Sequence, residues 1–179
     1  MANGFDGFLG NRSGKFRATL RRSIREVAAD GFVVDVVSSP YQPTVDAEAL
    51  FARLLAVERR SWKWEQSESI FQSEAAAFYR SLIERCWDNG KLRVAFVHRD
   101  SEDVAYAAGC HFGNTFRGLQ MSYDQRYNRF GLGNRCQLAL IENAIAEGAH
   151  TYDLGMEIDY KKRWSDRQLR LALLLISPR

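Results

Sequence analysis

The most informative stretch of this sequence is Asn128-Arg129-Phe130-Gly131-Leu132-Gly133, which lies between a predicted strand and a predicted helix at residues 134–147. Two glycines at the start of a helix let backbone N–H groups converge on an anion, and the helix dipole adds to the attraction. The pattern predicts a pyrophosphate site, although a tight turn before a helix has the same appearance. It lacks the GK[ST] of a Walker loop and the full GxGxxG of a dinucleotide fingerprint, which disfavours nucleotide-triphosphate and nicotinamide chemistry.

The composition is that of an ordinary globular protein. The chain has 179 residues, of which 46% are hydrophobic and 26% charged, enough for one core without disulfides or metals. We expect residues 1–12 to form a flexible leader and residues 13–179 a single domain. Three widely spaced cysteines, Cys86, Cys110 and Cys136, suit a reducing compartment and argue against a zinc site. No apolar run approaches the roughly 18 residues of a membrane span, and no signal peptide is recognisable, so we expect a cytoplasmic protein.

Turn residues and hydrophobic periodicity predict alternating helices and strands. Helices are predicted at residues 46–62, 73–88 and 134–147, the second with an apolar stripe of Phe78, Leu82 and Cys86. Strands are predicted at residues 32–37, 92–98, 104–112, 115–123, 150–155 and 168–176, the last of them buried on both faces. The strands at 92–98 and 104–112 are separated by five polar residues, which predicts an antiparallel hairpin. A mixed sheet with helices on both sides is the simplest arrangement.

A further predicted helix near the N-terminus is strongly basic. Residues 12–25 contain six cations and no acid, with Phe16, Leu20, Ile24 and Val27 at helical spacing. A docked surface helix with a solvated basic face explains this pattern, and so does a site for the phosphates of a cofactor. RNA or an anionic membrane is a third partner for such a helix.

Four stretches in this order resemble a known family. They are the basic segment at residues 16–22, Ser61-Trp62-Lys63, the segment at residues 123–127 followed by Gly131, and Tyr152-Asp153-Leu154-Gly155 with Tyr160, Lys161 and Trp164 behind it. Together they resemble the GNAT superfamily of acyl-CoA-dependent N-acyltransferases, and within it the BioF2-like or CelD-like acetyltransferases, which are related to the Fem peptidyltransferases. The resemblance covers residues 14–165, most of the chain.

The resemblance implies a fold and a co-substrate. The fold is α/β (α+β), with a mixed, mostly antiparallel central sheet, helices on both faces, and strands near 119–123 and 151–155 that splay apart into an acyl-CoA cleft. The co-substrate is acetyl-CoA or a longer acyl-CoA, without a metal. Its binding residues are expected to be Tyr123, Arg129, Phe130, Gly131, Leu132, Gly133 and Asn134. The family has Gln or Arg where this sequence has Asn128, while both glycines of the pattern are present.

The implied chemistry is attack of an amine on a thioester. The enzyme must position the amine, remove its extra proton and stabilise the oxyanion, the last through a backbone N–H of the first splayed strand. The resemblance suggests Tyr160 as the proton donor to the leaving thiolate, although a packed aromatic residue would look the same. The candidate bases are Asp124 and Asp153, which alternatively cap a turn and form an ion pair. The candidates for the acceptor side are Trp62, Lys63 and Glu157, and Glu157 is also a third candidate base.

The partner expected for this chemistry is a small-molecule or sugar amine, with no membrane span. Nucleic acid enters only under an alternative, a Fem-like transferase that uses aminoacyl-tRNA and would give the basic helix a role. A second alternative is a non-catalytic binding protein of the same fold. Dimerisation is common in the family. None of the three histidines has a partner at ligand spacing, so no metal site is expected.

Overall fold

The structure is a computed structural model that describes residues 4–39, 45–170 and 172. Its helices are α1 (Gly4–Gly10), α2 (Gly14–Ala29), α3 (Ala47–Glu58), α4 (Trp62–Glu65), α5 (Ala76–Asp88) and α6 (Leu132–Ala146). Its strands are β1 (Val33–Val37), β2 (Leu92–Arg99), β3 (Glu102–Phe112), β4 (Thr115–Tyr123) and β5 (Thr151–Asp153). Short 3₁₀ turns cover Ile70–Gln72, Gln125–Phe130 and Asp159–Arg163.

The five strands form one sheet in which spatial order equals chain order, β1-β2-β3-β4-β5. The first three pairings are antiparallel, and β4 pairs with β5 in parallel. The parallel pairing requires a crossover, which α6 provides. The predicted antiparallel hairpin of β2 and β3 and the third strand of the meander, β4, are confirmed.

Helices cover both faces of the sheet, so the predicted fold class is confirmed. Alternating side chains of β3 divide the core: Ala105 and Ala107 face α6, whereas Tyr106 and Ala108 face α3 and α5. On the outer side of α6 pack α1 and α2. Helix α3 begins as expected at Asp46, whose carboxylate accepts a hydrogen bond from the Ala49 backbone N–H at 2.6 Å.

Strands β4 and β5 separate after three residue pairs, the last being Arg117 with Asp153. At this point the β3–β4 register shifts between Ala108 and Gly109, so β4 carries one extra residue there. Such a bulge bends its strand and increases the local twist. Strand β4 then continues to Tyr123 without β5 beside it. The predicted splay of the two strands is therefore present.

The buried faces of two helices differ from the sequence-based expectations. In α2 the buried stripe uses Ser23, while Ile24 is 38% exposed, because the Ser23 hydroxyl donates to the backbone carbonyl of Phe130. In α5 the expected stripe residue Phe78 is 64% exposed, and Ile83 and Trp87 are buried instead. Both residues pack with α3 and β2 in the core cluster on that face of the sheet.

The two ends of the chain also differ from expectation. Within the expected leader at residues 1–12, residues 4–10 form α1, because Phe8 is buried and packs against Trp164, with ring centroids 6.3 Å apart. Residues 168–170 of the last predicted strand are not in a strand, and most of the remainder of that strand lies outside the described residues.

Candidate functional site

A cleft of about 440 Å³ opens where β4 and β5 separate. Its floor is the uncovered part of β4. One wall is the N-terminal turn of α6, and the opposite side is formed by α4 and the 3₁₀ turn at Asp159–Arg163. A crevice between strands that diverge beside a helix N-terminus is a common location for a small-molecule site.

The glycine turn leads directly into α6. Gly131 has φ +63° and ψ 38°, a left-handed conformation that favours glycine, and no side chain caps the helix. Gly133 lets the Met121 side chain pack closely against the start of α6, because a Cβ at Gly133 would lie only 3.1 Å from the Met121 sulfur. The Asn134 N–H donates to the Gly131 carbonyl oxygen at 3.0 Å, so the N–H groups that the start of α6 can offer to an anion are those of Leu132 and Gly133.

Side chains cap the open edge of β4 at Met121. Lys63 Nζ donates to the Met121 carbonyl oxygen at 2.6 Å, and the Met121 N–H donates to Gln120 Oε1 at 3.2 Å. Lys63 also reaches Gln120 Oε1, at 3.4 Å. A backbone N–H and a C=O that a strand partner would normally satisfy are thus satisfied by two side chains.

Three polar side-chain atoms of the cleft lining lack a hydrogen-bond partner among the described residues, namely Nε2 of Gln137, Oγ of Ser122 and Oη of Tyr152. The Gln137 and Ser122 side chains are only 8% and 3% exposed. Gln137 lies on α6, one helical turn beyond Gly133, and Ser122 lies on β4. Buried polar atoms are normally satisfied, so these two donors are suited to a ligand in the cleft.

Asp124 lies outside the cleft lining and is held as an ion-pair centre. Its side chain is 1% exposed and accepts from Arg60 Nε at 2.7 Å and from the backbone and guanidinium of Arg126. Burial raises its pKa, but the hydrogen bonds and charge of Arg126, together with the hydrogen bond from Arg60, outweigh burial and leave it below the ordinary value. It also caps the 3₁₀ turn at Gln125–Phe130. A buried, doubly paired carboxylate does not reach a substrate as a base.

Asp153 and Glu157 face a second concavity of about 850 Å³, on the other side of β5. Asp153 pairs with Arg117 and accepts from the Gly155 N–H at 2.8 Å. These contacts leave its pKa lowered despite burial. Glu157 is exposed and lies 3.7 Å from Lys162 Nζ. Neither carboxylate lines the cleft between β4 and β5.

Of the remaining candidates, Tyr160, Trp62 and Lys63 line the cleft. Burial raises the pKa of Tyr160, so its hydroxyl stays protonated at neutral pH and can donate. Burial lowers the pKa of Lys63. Among the described residues that line the cleft there is no Asp, Glu or His.

The expected cofactor residues divide into three groups. Tyr123, Gly131, Gly133 and Asn134 line the cleft. Phe130 and Leu132 belong to the core and are only 7% and 1% exposed. Arg129 is exposed and stacks over the Phe130 ring, 4.6 Å from its centroid.

The sequence did not single out Met121, Gln137 or Lys161 as site residues. Gln137 carries a usable signal, since it lies four residues after Gly133 on the same helix face as the turn. The role of Met121 depends on its backbone and not on its side chain. Lys161 donates to the carbonyl oxygens of Leu154 and Met156, at 2.6 and 3.1 Å, in a loop with no regular periodicity.

Within the described part of the chain, no three His, Cys, Asp or Glu side chains come together as a metal-binding group. Over the same residues, no helix combines the length and apolar character needed to cross a membrane. The three cysteines are free and buried.

Comparison with solved structures finds similar folds at low sequence identity. FemX matches with a TM-score of 0.66 and 12% identity, over 90% of this chain and 56% of that one. An aminoglycoside acetyltransferase from an uncultured soil metagenomic sample, in complex with sisomicin, matches with a TM-score of 0.54 and 9% identity, over 84% of this chain and 99% of that one. A GNAT family acetyltransferase from Staphylococcus aureus matches with a TM-score of 0.52 and 10% identity, over 81% and 99%.

Comparison with curated protein sequences gives no match. The family is established by a family model, described as an acetyltransferase (GNAT) domain, which matches residues 14–163. That range begins at α2 and includes the whole sheet, the glycine turn and Tyr160, so the match covers the cleft described above. This chain therefore belongs to the GNAT acetyltransferase domain family.

Proposed function

We propose that this protein transfers an acyl group from a CoA thioester to the amine of a small molecule or sugar. The observation that carries the proposal is the meeting, in one cleft, of the uncovered edge of β4 and the uncapped N-terminus of α6. The open strand edge suits an extended, amide-containing arm, and the helix N-terminus suits a pyrophosphate.

The residues of the cleft fit such a co-substrate. The backbone N–H groups at the start of α6 would hold the phosphates, and the unpartnered Nε2 of Gln137 is a donor for an amide carbonyl further along. Acetyl-CoA or a longer acyl-CoA supplies the thioester carbonyl, and no metal takes part. The Met121 N–H, on the open edge of β4, would polarise that carbonyl once Gln120 releases it.

The transfer forms a C–N bond as the C–S bond breaks. The chain positions the amine against the carbonyl, and the Tyr160 hydroxyl gives its proton to the departing thiolate. Because no carboxylate or imidazole lines the cleft among the described residues, we assign removal of the amine proton to water. The two aspartates expected as bases, Asp124 and Asp153, have structural roles instead.

Titration with CoA, acetyl-CoA and longer acyl-CoAs, followed by calorimetry, tests the proposal. We expect binding to the wild type and at least a tenfold loss in Gly131→Glu, which places a negative side chain at the phosphate turn. Gly148→Glu is the matched control, because Gly148 is also left-handed, at φ +81°, but lies at the opposite end of α6. Equal binding by the two variants, or no binding of any CoA species to the wild type, would overturn the proposal.

One observation favours the tRNA-dependent alternative, namely the exposed basic face of α2. Lys15, Arg21, Arg22 and Arg25 are all exposed on this helix, and only Arg22 has an acidic neighbour on it, Glu26 at 3.9 Å. Binding of tRNA by the wild type that is lost in the Arg21→Glu, Arg22→Glu double variant would support this alternative. Undetectable binding by both proteins would remove it.

A further inference from the structure

The charge of the cleft is one-sided. Its described lining includes two lysines, Lys63 and Lys161, and no acidic side chain. The lysines come from different elements, α4 and the 3₁₀ turn at Asp159–Arg163. Two cations that converge on an acid-free cleft favour an anionic occupant over a cationic one.

Lys63 has no carboxylate ion-pair partner among the described residues. Its ammonium bonds only to neutral oxygens, those of Met121 and Gln120. The carboxylate that acts on it electrostatically, Glu58, is fully buried behind α4 and already accepts from Ser69 Oγ at 2.8 Å and Tyr106 Oη at 2.9 Å. Burial nevertheless lowers the pKa of Lys63, so its charge is incompletely compensated.

Lys161 is in a similar position. Its ammonium bonds only to two backbone carbonyl oxygens, those of Leu154 and Met156. Burial lowers its pKa first, and the charges of Arg117 and Lys63 lower it further, against the opposite effect of Asp153. Because Lys63 and Lys161 line the same cleft, an anion bound there would interact favourably with both charges.

A neutral donor completes the set. The Ser122 hydroxyl is 3% exposed, lines the same cleft and has no hydrogen-bond partner among the described residues. Ser122 is two residues beyond Gln120 on β4, so both side chains lie on one face of the strand. An anion held by the two ammonium groups could therefore also accept from this hydroxyl.

We infer that the acceptor is an amine that also carries an anionic group, a carboxylate or a phosphate, which Lys63 and Lys161 bind. This inference rests on the proposed acyl transfer and names the acceptor class for it. The anion fixes the acceptor so that its amine faces the thioester, and the same two lysines disfavour polycationic amines. A competing source of the anion is a phosphate of CoA itself, and the experiment separates the two.

The test measures kcat/KM by thiol release from acetyl-CoA for matched pairs of amines. The pairs are glucosamine 6-phosphate with glucosamine, and L-alanine with L-alaninamide, with sisomicin as the polycation. Rates are expressed per concentration of unprotonated amine, because removing an anion also lowers the pKa of the amine. Lys63→Met and Lys161→Met are compared with Lys162→Met, an exposed neighbour that loses the same charge outside the cleft, and Lys63→Arg tests rescue by a retained cation.

We expect the wild type and Lys162→Met to prefer the anionic member of at least one pair by about 10-fold to 100-fold, the range of a hydrogen bond to a charged group. Lys63→Met and Lys161→Met should lose that preference through KM, and Lys63→Arg should retain part of it. Equal turnover within both pairs, no turnover of either anionic amine, or a preference for sisomicin would overturn the inference.

A weaker Kd for acetyl-CoA in Lys63→Met, with acceptor preference unchanged, would also overturn it and assign the lysine to a phosphate of CoA. Failure of acetyl-CoA to bind the wild type is a different result. It would remove the proposed acyl transfer itself, and the acceptor role with it.

Discussion

Lys63 Nζ lies 2.6 Å from the carbonyl oxygen of Met121, at the edge of β4 that β5 has left. The ammonium and the Gln120 amide together satisfy the backbone groups that a strand partner would otherwise take. The open edge is therefore closed by movable side chains, which a ligand can displace at the cost of about one hydrogen bond each.

Gln120→Leu should strengthen binding of acetyl-CoA relative to CoA. The Gln120 oxygen competes with a thioester carbonyl for the Met121 N–H, and CoA has no such carbonyl, so its Kd should change little. We expect a several-fold gain in the ratio of the two affinities, measured by calorimetry on one protein preparation. A ratio equal to that of the wild type would contradict the assignment of the Met121 N–H.

Tyr160→Phe should lower kcat by about 100-fold, within the range of general acid catalysis, and leave the Kd of acetyl-CoA unchanged. Tyr127→Phe is the control, because Tyr127 packs against Phe32 and Phe130 outside the cleft. Stopped-flow detection of the released thiol gives both rates. A Tyr160→Phe enzyme with the kcat of the control would show that the thiolate takes its proton elsewhere.

The pH dependence of kcat/KM should follow the acceptor amine and no aspartate. Activity should rise tenfold per pH unit up to the pKa of the free amine, because only the unprotonated amine attacks. Burial raises the pKa of Tyr160 above the ordinary value near 10, so the proton donor itself stays protonated below pH 10. With two acceptors of different amine pKa, the pH at which kcat/KM levels off should differ by the difference in amine pKa. A rise in kcat/KM near pH 4 to 6 that is the same for both acceptors would instead indicate a carboxylate base.

Asp124→Asn should lower the free energy of unfolding by about 1–3 kcal/mol near neutral pH, less than for a fully buried pair because Arg60 and Arg126 are partly exposed. The pKa of Asp124 is lowered by folding, so its stabilising effect is present above about 3.9 and is lost as pH falls through the lower folded value. The gap between wild type and variant in urea unfolding should therefore narrow below about pH 4. Asp153→Asn, on a side chain 40% exposed, should cost less than about 1 kcal/mol.

Gly109→Ala should destabilise the sheet by about 1–3 kcal/mol or more. A Cβ at Gly109 would lie 2.4 Å from the Phe116 ring and 2.7 Å from the Arg117 carbonyl oxygen, at the bulge between β3 and β4. Gly118 is its partner across the strands, and a Cβ there has 3.5 Å of clearance, so Gly118→Ala is the matched control. Similar midpoints of urea unfolding for the two variants would contradict this account of the bulge.

The strands of the meander and the glycine turn could be predicted from sequence because their signals are local. Alternation, a polar turn and two glycines before a helix each lie within a few residues. The expected bases could not be assessed in the same way, since Asp124 pairs with Arg60 from the distant turn between α3 and α4. The expected stripe in α5 misplaced Phe78 for a related reason, because helical spacing gives a period but not which of two adjacent apolar rows faces the core.

Sequence reasoning could place residues of the cleft lining where a backbone turn defines them, but not where side chains from separate elements meet. The glycine turn pattern identifies Gly131 and Gly133 within a few residues. The hydrogen bond from Lys63 to Met121 instead joins α4 to β4, which are far apart in the sequence. The family resemblance supplied Tyr160, Trp62 and Lys63 in the cleft, but it could not show that the carboxylates point elsewhere.

Strands β2, β3 and β4 are joined by short turns, so this part of the sheet can form from local hairpin closures, which are fast and cost little chain entropy. The pairing of β4 with β5 is different, since it must wait for α6 to cross over and is held by three residue pairs. The cleft thus lies at the junction that we expect to close late in folding and to open most easily by local unfolding. A co-substrate that contacts both strands would stabilise this junction against local unfolding. It should slow amide hydrogen exchange at Thr151–Asp153 more than in the central strands.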